Sequence, residues 1–278
     1  VPNDSWSRLE LARFLRSRRE RIDPRTFGLP VGSRRRTPGL RREEVAMLAG
    51  LGPTWYAYLE QGRKIQPSPQ VLESLAQVLR LSEDERRYLH RLANGDDEWP
   101  RRPDDAPAAE AVLRQLVERG SAYLYPSYAT DHRGDLLAWN RAATEWYADF
   151  GKLPVSERNL LRWMLTAPEA RERLVDWERT AREVAARWRV QSVLWPGDPA
   201  LQMRVNEFHN LSPEFAAWWR NHEVLEHRSH IRRLSHPRYG LWSFRVVIMR
   251  VAGFPRHFVE SHIRVDPSNM QNIPSTLD

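Results

Sequence analysis

The chain has 278 residues, of which 41% are hydrophobic and 28% charged, with no cysteine and a formal net charge of +7. That length has room for two domains of roughly 100 to 200 residues each, and the mix of apolar and charged residues excludes wholesale disorder. The missing cysteines exclude disulfides, thiolate metal sites and thiol nucleophiles.

No apolar run approaches the roughly 18 residues that span a bilayer. The opening stretch VPNDSWSRLELARF has no apolar signal core, so the expected location is cytoplasmic, with no membrane partner. Charge is unevenly spread: residues 1–64 carry fourteen Arg and Lys against seven acids, whereas residues 65–105 carry six against nine. The positive end is therefore the N-terminal one, as expected of a module that meets a polyanion.

Five helices are predicted before residue 94. In the first, Leu11, Phe14, Leu15 and Arg18 recur at spacings of three and four, a stripe backed by a basic face. The loop DPRTFGLPVGSRRRTPG breaks it with proline and glycine. The second and third helices, RREEVAMLAG and PTWYAYLEQG, each close on a glycine suited to a left-handed cap. A fourth starts at Ser68 with Pro69 in its first turn and carries Leu72, Leu75 and Leu79. The fifth opens with Ser82 and Glu85 in capping-box register and buries Leu89 and Leu92.

The stretch NGDDEWPRRPDDAP has charge and proline but no period, and it marks a boundary. The expected division is a helical domain over 1–94, a linker over 95–106 and a second domain over 107–278. In the second domain AYLYPSYATD and DLLAW read as a hairpin leading into a helix at NRAATEWYADF. A single long helix is predicted over about 169–191. GLWSFRVVIM and RHFVESHIRV then read as an antiparallel strand pair, the second alternating Val259, Ser261, Ile263 and Val265 against Glu260, His262 and Arg264.

Within the second and third helices, Val45, Ala46, Ala49, Leu51, Tyr56 and Leu59 fall on positions that face one core. Gly50 occupies the tight turn between them, as a helix-turn-helix requires. The outward positions of the third helix are Pro53, Thr54, Trp55, Ala57 and Tyr58, the face a recognition helix presents to the major groove. Readout is expected to use the Thr54 hydroxyl, the Tyr58 phenol and apolar contact from Trp55. Arg41, Arg42, Arg63 and Lys64 are expected on phosphates, which set affinity rather than sequence. Arg34, Arg35 and Arg36 sit in a loop long enough to follow the backbone or enter a minor groove, or to stay a solvated charge run.

LRREEVAMLAGLGPTWYAYLEQGRKIQPSPQVLESLAQVL resembles the XRE (Cro-type) helix-turn-helix, with its Ala-Gly turn and the Leu-Glu-x-Gly close of the recognition helix. RRRTPGLRREEVA before it, and SYATDHRGDLLAWNRAATEWY, NLLRWML, SPEFAAWW and LSHPRYG after it, extend the resemblance to the MmyB-like regulators over nearly the whole chain. It departs from common recognition helices in having few side chains that hydrogen-bond base edges. The resemblance implies a multidomain protein: an all-α helix-turn-helix domain followed by an α+β, PAS-like domain with an antiparallel sheet, flanking helices and a fatty-acid-like ligand.

Nine of the twelve tryptophans lie from Trp139 onward, a density that suits a small-molecule pocket or a dimer surface. The expected lining is Tyr128, Trp139, Asn140, Trp146, Trp188, Phe215 and Trp219. Arg162 and Arg141 are candidates for a ligand carboxylate.

HEVLEH, from His222 to His227, spaces its histidines by five, whereas zinc-binding helices use four, so no metal site is expected. The chain lacks a nucleophile elbow, a P-loop and a dinucleotide fingerprint, so no catalysis and no cofactor are expected. The expected function is a dimeric transcription regulator on double-stranded DNA, on an inverted repeat, modulated by a small apolar ligand. The alternative is a constitutive DNA binder whose second domain serves only dimerisation or protein recruitment.

Overall fold

The structure, a computed structural model, describes residues 5–30, 37, 39–94, 106–120, 125–195, 198–226, 228–251 and 254–265. Two compact units divide the chain. The first holds residues 1–98 with 189–199 and 219–226, and the second holds 99–188, 200–218 and 227–278.

Five α-helices make up the N-terminal part of the first unit: α1 Ser5–Arg21, α2 Arg42–Leu48, α3 Pro53–Glu60, α4 Pro69–Val78 and α5 Glu83–Asn94, with one 3-10 turn at Pro24–Phe27. The predicted caps are present. Gly50 and Gly62 follow α2 and α3 with φ of 69° and 70°. The Ser68 hydroxyl accepts from Val71 N, and Ser82 and Glu85 exchange reciprocal side-chain to backbone bonds at the start of α5. Phe14, Leu15, Val45, Ala46, Tyr56, Leu59, Leu72, Leu75, Leu89 and Leu92 join in one core, to which Val190, Val193 and Val224 also belong.

Elements of the second unit begin with α6 Ala106–Gly120, β1 Ser127–Asp131, β2 Leu136–Trp139 and α7 Arg141–Trp146. Then come α8 Leu160–Thr166, α9 Pro168–Arg173, α10 Trp177–Leu194, α11 Pro199–Leu211, α12 Pro213–Arg220, β3 His230–His236, β4 Gly240–Val251 and β5 Phe254–Arg264. The five strands form one antiparallel sheet in the order β2-β1-β5-β4-β3. This is the expected α+β arrangement, with the expected hairpin at β1–β2 and strand pair at β4–β5.

Register sorts the two sheet faces, because directly paired residues share a face and neighbours along a strand alternate. His230 pairs with Val246 and Val246 with His262, while Arg232 pairs with Phe244 and Tyr128 with Glu260. These residues share one face. The other face carries Ala129, Ala138 and Val259, which pack with Leu113 and Val117 of α6.

One expectation is corrected. The long helix over 169–191 is broken, because Leu174 bridges to Leu234 and Val175 N donates to Arg233 O, which pulls three residues between α9 and α10 into sheet-like pairing. On β5, Val259 and His262 are buried, 6% and 3% exposed, whereas Ile263 is 53% exposed.

Candidate nucleic-acid interface and ligand domain

Helix α3 is locked from its buried side. Glu60, its last residue, accepts from Arg19 Nε at 2.5 Å and Nη2 at 3.1 Å, and from Arg42 Nε at 2.7 Å. Burial pushes the Glu60 carboxyl up, but the bonds from Arg19 and Arg42 outweigh it and hold the group below its ordinary range. Arg19 also donates to Leu40 O at 2.8 Å, so one guanidinium joins α1, the segment before α2, and α3.

The opposite side of α3 is partly open to solvent. Pro53 and Thr54 are exposed, and Trp55, Ala57 and Tyr58 are half-buried. The Arg63 guanidinium lies over the Tyr58 ring at 3.9 Å from its centroid, while Arg63 N donates to Tyr58 O. Arg41 and Lys64 are exposed, and Arg41 N donates to the Glu44 carboxylate as α2 starts. Six of the ten residues expected on DNA therefore lie with or beside an exposed helix face, and Arg42 shares its charge with Glu60. Arg34, Arg35 and Arg36 lie outside the described residues.

Glu10 is a buried charge inside the same unit that the sequence did not single out. It accepts from Tyr88 at 3.1 Å and Arg189 at 2.7 Å, and it pairs with His222 at 3.2 Å. Burial raises the Glu10 carboxyl, yet His222, Arg189 and Tyr88 together bring it down to about 2. His222 is not on a helix: it follows α12 with a φ of 51° and is bound into this cluster. His227 lies outside the described residues, and no group of side chains suited to a metal ion occurs among the described ones.

In the second unit the aromatic residues form two connected groups that include Tyr128 and Phe244 of one sheet face. Trp146 is surrounded by His236, Tyr239, Trp242 and Phe244, with centroids 4.9–6.1 Å away. Tyr128 meets Tyr147, and Tyr147 meets Trp163, which meets Phe150 and through it Trp139. Trp188 and Phe215 both pack on Phe208, away from the first two sets in the contact chain. Trp219 belongs to the first unit, beneath the Arg189 guanidinium at 3.8 Å.

Polar candidates from the sequence are engaged in structure. Asn140 caps α7 by accepting from Ala143 N, accepts from Ser127 N, and donates to Tyr125 O. Arg162 is bound to Glu207 at 3.0 Å and Glu157 at 2.9 Å, and the exposed Arg141 pairs with Glu145. Sequence reading missed a buried polar row: Tyr128 and Tyr147 both accept from Arg232, Tyr128 donates to Glu260, and Tyr147 and His262 Nε2 share a hydrogen bond. An arginine in a strand reads as solvent-facing until its cross-strand partners are known, so no local signal marks Arg232.

Comparison with known families gives two matches. A family described as MmyB-like transcription regulator ligand binding domain matches residues 106–271, and one described as helix-turn-helix domain matches residues 10–89. No curated protein matches the chain.

Proposed function

The chain belongs to the MmyB-like transcription regulators, a helix-turn-helix joined to a ligand-binding domain, and from that premise we propose that it binds an inverted repeat as a homodimer and answers to an apolar, fatty-acid-like ligand. It is a DNA-binding transcription regulator with no catalytic domain among its matches. No described helix is long and apolar enough to cross a membrane, and a DNA partner supports a working place in the cytoplasm.

One observation carries the DNA reading: α3 is fixed by the Glu60 carboxylate on its buried side, and its other face is partly exposed and flanked by basic residues. Thr54, Trp55 and Tyr58 read the groove, and Arg41, Arg42, Arg63 and Lys64 hold phosphates. Arg34, Arg35 and Arg36 add phosphate or minor-groove contacts. A two-fold dimer sets its recognition helices about 34 Å apart, so half-sites are centred roughly one helical turn apart.

The ligand reading draws on the aromatic walls built by Tyr128, Trp139 and Trp146, with Trp188 and Phe215 extending the apolar lining around Phe208. The test is selection of bound duplexes from a randomised library by the full chain, alongside mass spectrometry of whatever small molecule co-purifies. Enrichment of a palindrome and an apolar guest in the protein are expected. A single asymmetric half-site overturns the dimer reading, and a guest-free protein that ignores added lipid acids overturns the ligand reading.

A further inference from the structure

Six of the twelve exposed large apolar side chains among the described residues stand on one side of the sheet in the second unit: Val112, Leu116, Val175, Leu241, Met249 and Ile263. Val112 and Leu116 belong to α6, which packs on the face that carries Ala129, Ala138 and Val259. Register puts the other four on that same face. Met249 pairs with Val259, Leu241 lies an even number of residues from Met249 along β4, and Ile263 is four residues from Val259 along β5. Val175, whose N donates to Arg233 O, joins them beside β3.

Helix α6 covers only half of this face. It buries Ala109, Leu113 and Val117, a single stripe at a spacing of four, against residues of β2, β1 and β5. Coverage ends at β5: Val259 is 6% exposed, whereas Met249, its cross-strand partner on β4, is 43% exposed. The face is therefore a step, with a helix on one half and open strands on the other.

The two halves match in size. The fifteen residues of α6 reach about 22 Å, and β4 from Leu241 to Met249 reaches about 27 Å. Two strand spacings give the open half a width of about 10 Å, which is the diameter of a helix. They match in charge as well. Arg245 lies midway along the open half and pairs with Ile263 in register; among the described residues it has no carboxylate partner, and it makes a 3.5 Å bond to Ser229 Oγ. Glu118, exposed on α6, has no cation partner among them either. The neighbouring charges are already taken, Arg233 by Asp176 and Glu110 by Arg114.

Contiguous exposed apolar surface with a polar rim marks an association site. A step of this shape complements a copy of itself turned about a two-fold axis, because each helix then fills the other copy's open half. We propose that this face joins two copies of the chain, α6 of each lying along β3 and β4 of the other, with Glu118 of each copy against Arg245 of the partner subunit. The proposal rests on the homodimer reading above and gives that dimer its surface. A foreign partner has no need of a helix and an open strip of equal size and opposite unpaired charge on one face.

Sedimentation velocity of the full chain at about 1 to 50 μM tests it, with thermal melts to show that each variant is folded. Wild type should dimerise, and Leu116→Glu and Ile263→Glu should each raise the dimer dissociation constant about tenfold or more. Met203→Glu, at an exposed methionine of α11, should dimerise as wild type does. Glu118→Arg and Arg245→Glu should each weaken the dimer, and the two together should restore most of it. A wild type that stays monomeric throughout overturns this surface and the homodimer reading together, and gives the face to a different partner. A wild-type dimer that survives in folded Leu116→Glu and Ile263→Glu overturns the surface while the homodimer reading stands. Additive losses in the doubly charge-reversed variant overturn the pairing of Glu118 with Arg245.

Discussion

The Arg63 guanidinium stacks on the Tyr58 ring, 3.9 Å from its centroid, so a cation from beyond α3 is held against the helix face that is open to solvent. A free arginine side chain loses about 2 kcal/mol of rotamer freedom on being fixed. Stacking pre-orders it beside a side chain proposed to enter the groove, so one contact ties the phosphate-binding and base-reading roles together.

Arg63→Ala should therefore weaken binding to every duplex sequence and lower the slope of log affinity against log salt by about one unit. Arg63→Lys should retain the slope, because charge is kept, but lose some selectivity as Tyr58 is freed. Fold stability should change by less than about 1 kcal/mol, the scale of an exposed cation–π contact. Fluorescence anisotropy at four or five salt concentrations decides the matter, and an unchanged slope for Arg63→Ala removes Arg63 from the interface.

Glu60 should behave very differently from the exposed charges. Its side chain is fully buried and Arg19 is 5% exposed, so Glu60→Ala strands a buried guanidinium and should cost roughly 3–5 kcal/mol in urea denaturation. Glu60→Gln should cost less, since its amide oxygen still accepts from Arg19. Arg42→Ala should cost no more than about 1 kcal/mol, because that side chain is 40% exposed and solvent screens the pair. Equal losses for Glu60→Ala and Arg42→Ala would contradict the buried-anchor account.

Local signals were legible wherever the cause is local. Caps at Ser68 and Ser82, turns at Gly50 and Gly62, and the buried stripe of Leu11, Phe14 and Leu15 all follow from neighbours within a few residues. The break between α9 and α10 was not legible, because it is made by pairing with β3 some sixty residues later. The same holds for function. Exposure of Thr54 follows from helical phase, but Glu10 and Arg232 acquire meaning only from partners far along the chain.

Gly39 carries a steric demand that the turn-rich loop before α2 hides. A Cβ built there would stand 2.3 Å from Arg19 O and 2.5 Å from Glu20 C, both backbone atoms that cannot swing aside. The close approach is where Leu40 N donates to Arg19 O and Arg19 returns a bond to Leu40 O. Gly39→Ala should thus destabilise the first unit by roughly 1–3 kcal/mol. Gly50→Ala has open space and only the left-handed backbone to resist it, about 1 kcal/mol. Thermal melts of the two variants should rank in that order, and the reverse order would refute the contact.

Acid sensitivity is the last expectation, and its direction follows from Glu10. Burial opposes its ionisation, but His222, Arg189 and Tyr88 lower its folded value from 4.5 to about 2. A depressed carboxyl contributes stability that is fully present above 4.5 and is lost as pH falls toward 2, on the order of 3 kcal/mol in total. His222 acts in the same sense: burial, then the Arg189 and Arg18 charges, hold it below 6.5, so protonating it at low pH also disfavours the fold. Glu10→Gln should be destabilised relative to wild type at pH 7, and the gap should narrow steadily between pH 4.5 and pH 2. Urea midpoints measured across that window test it. A gap that stays constant with pH would show that Glu10 acts through its shape and hydrogen bonds alone, and that its charge contributes nothing to the first unit.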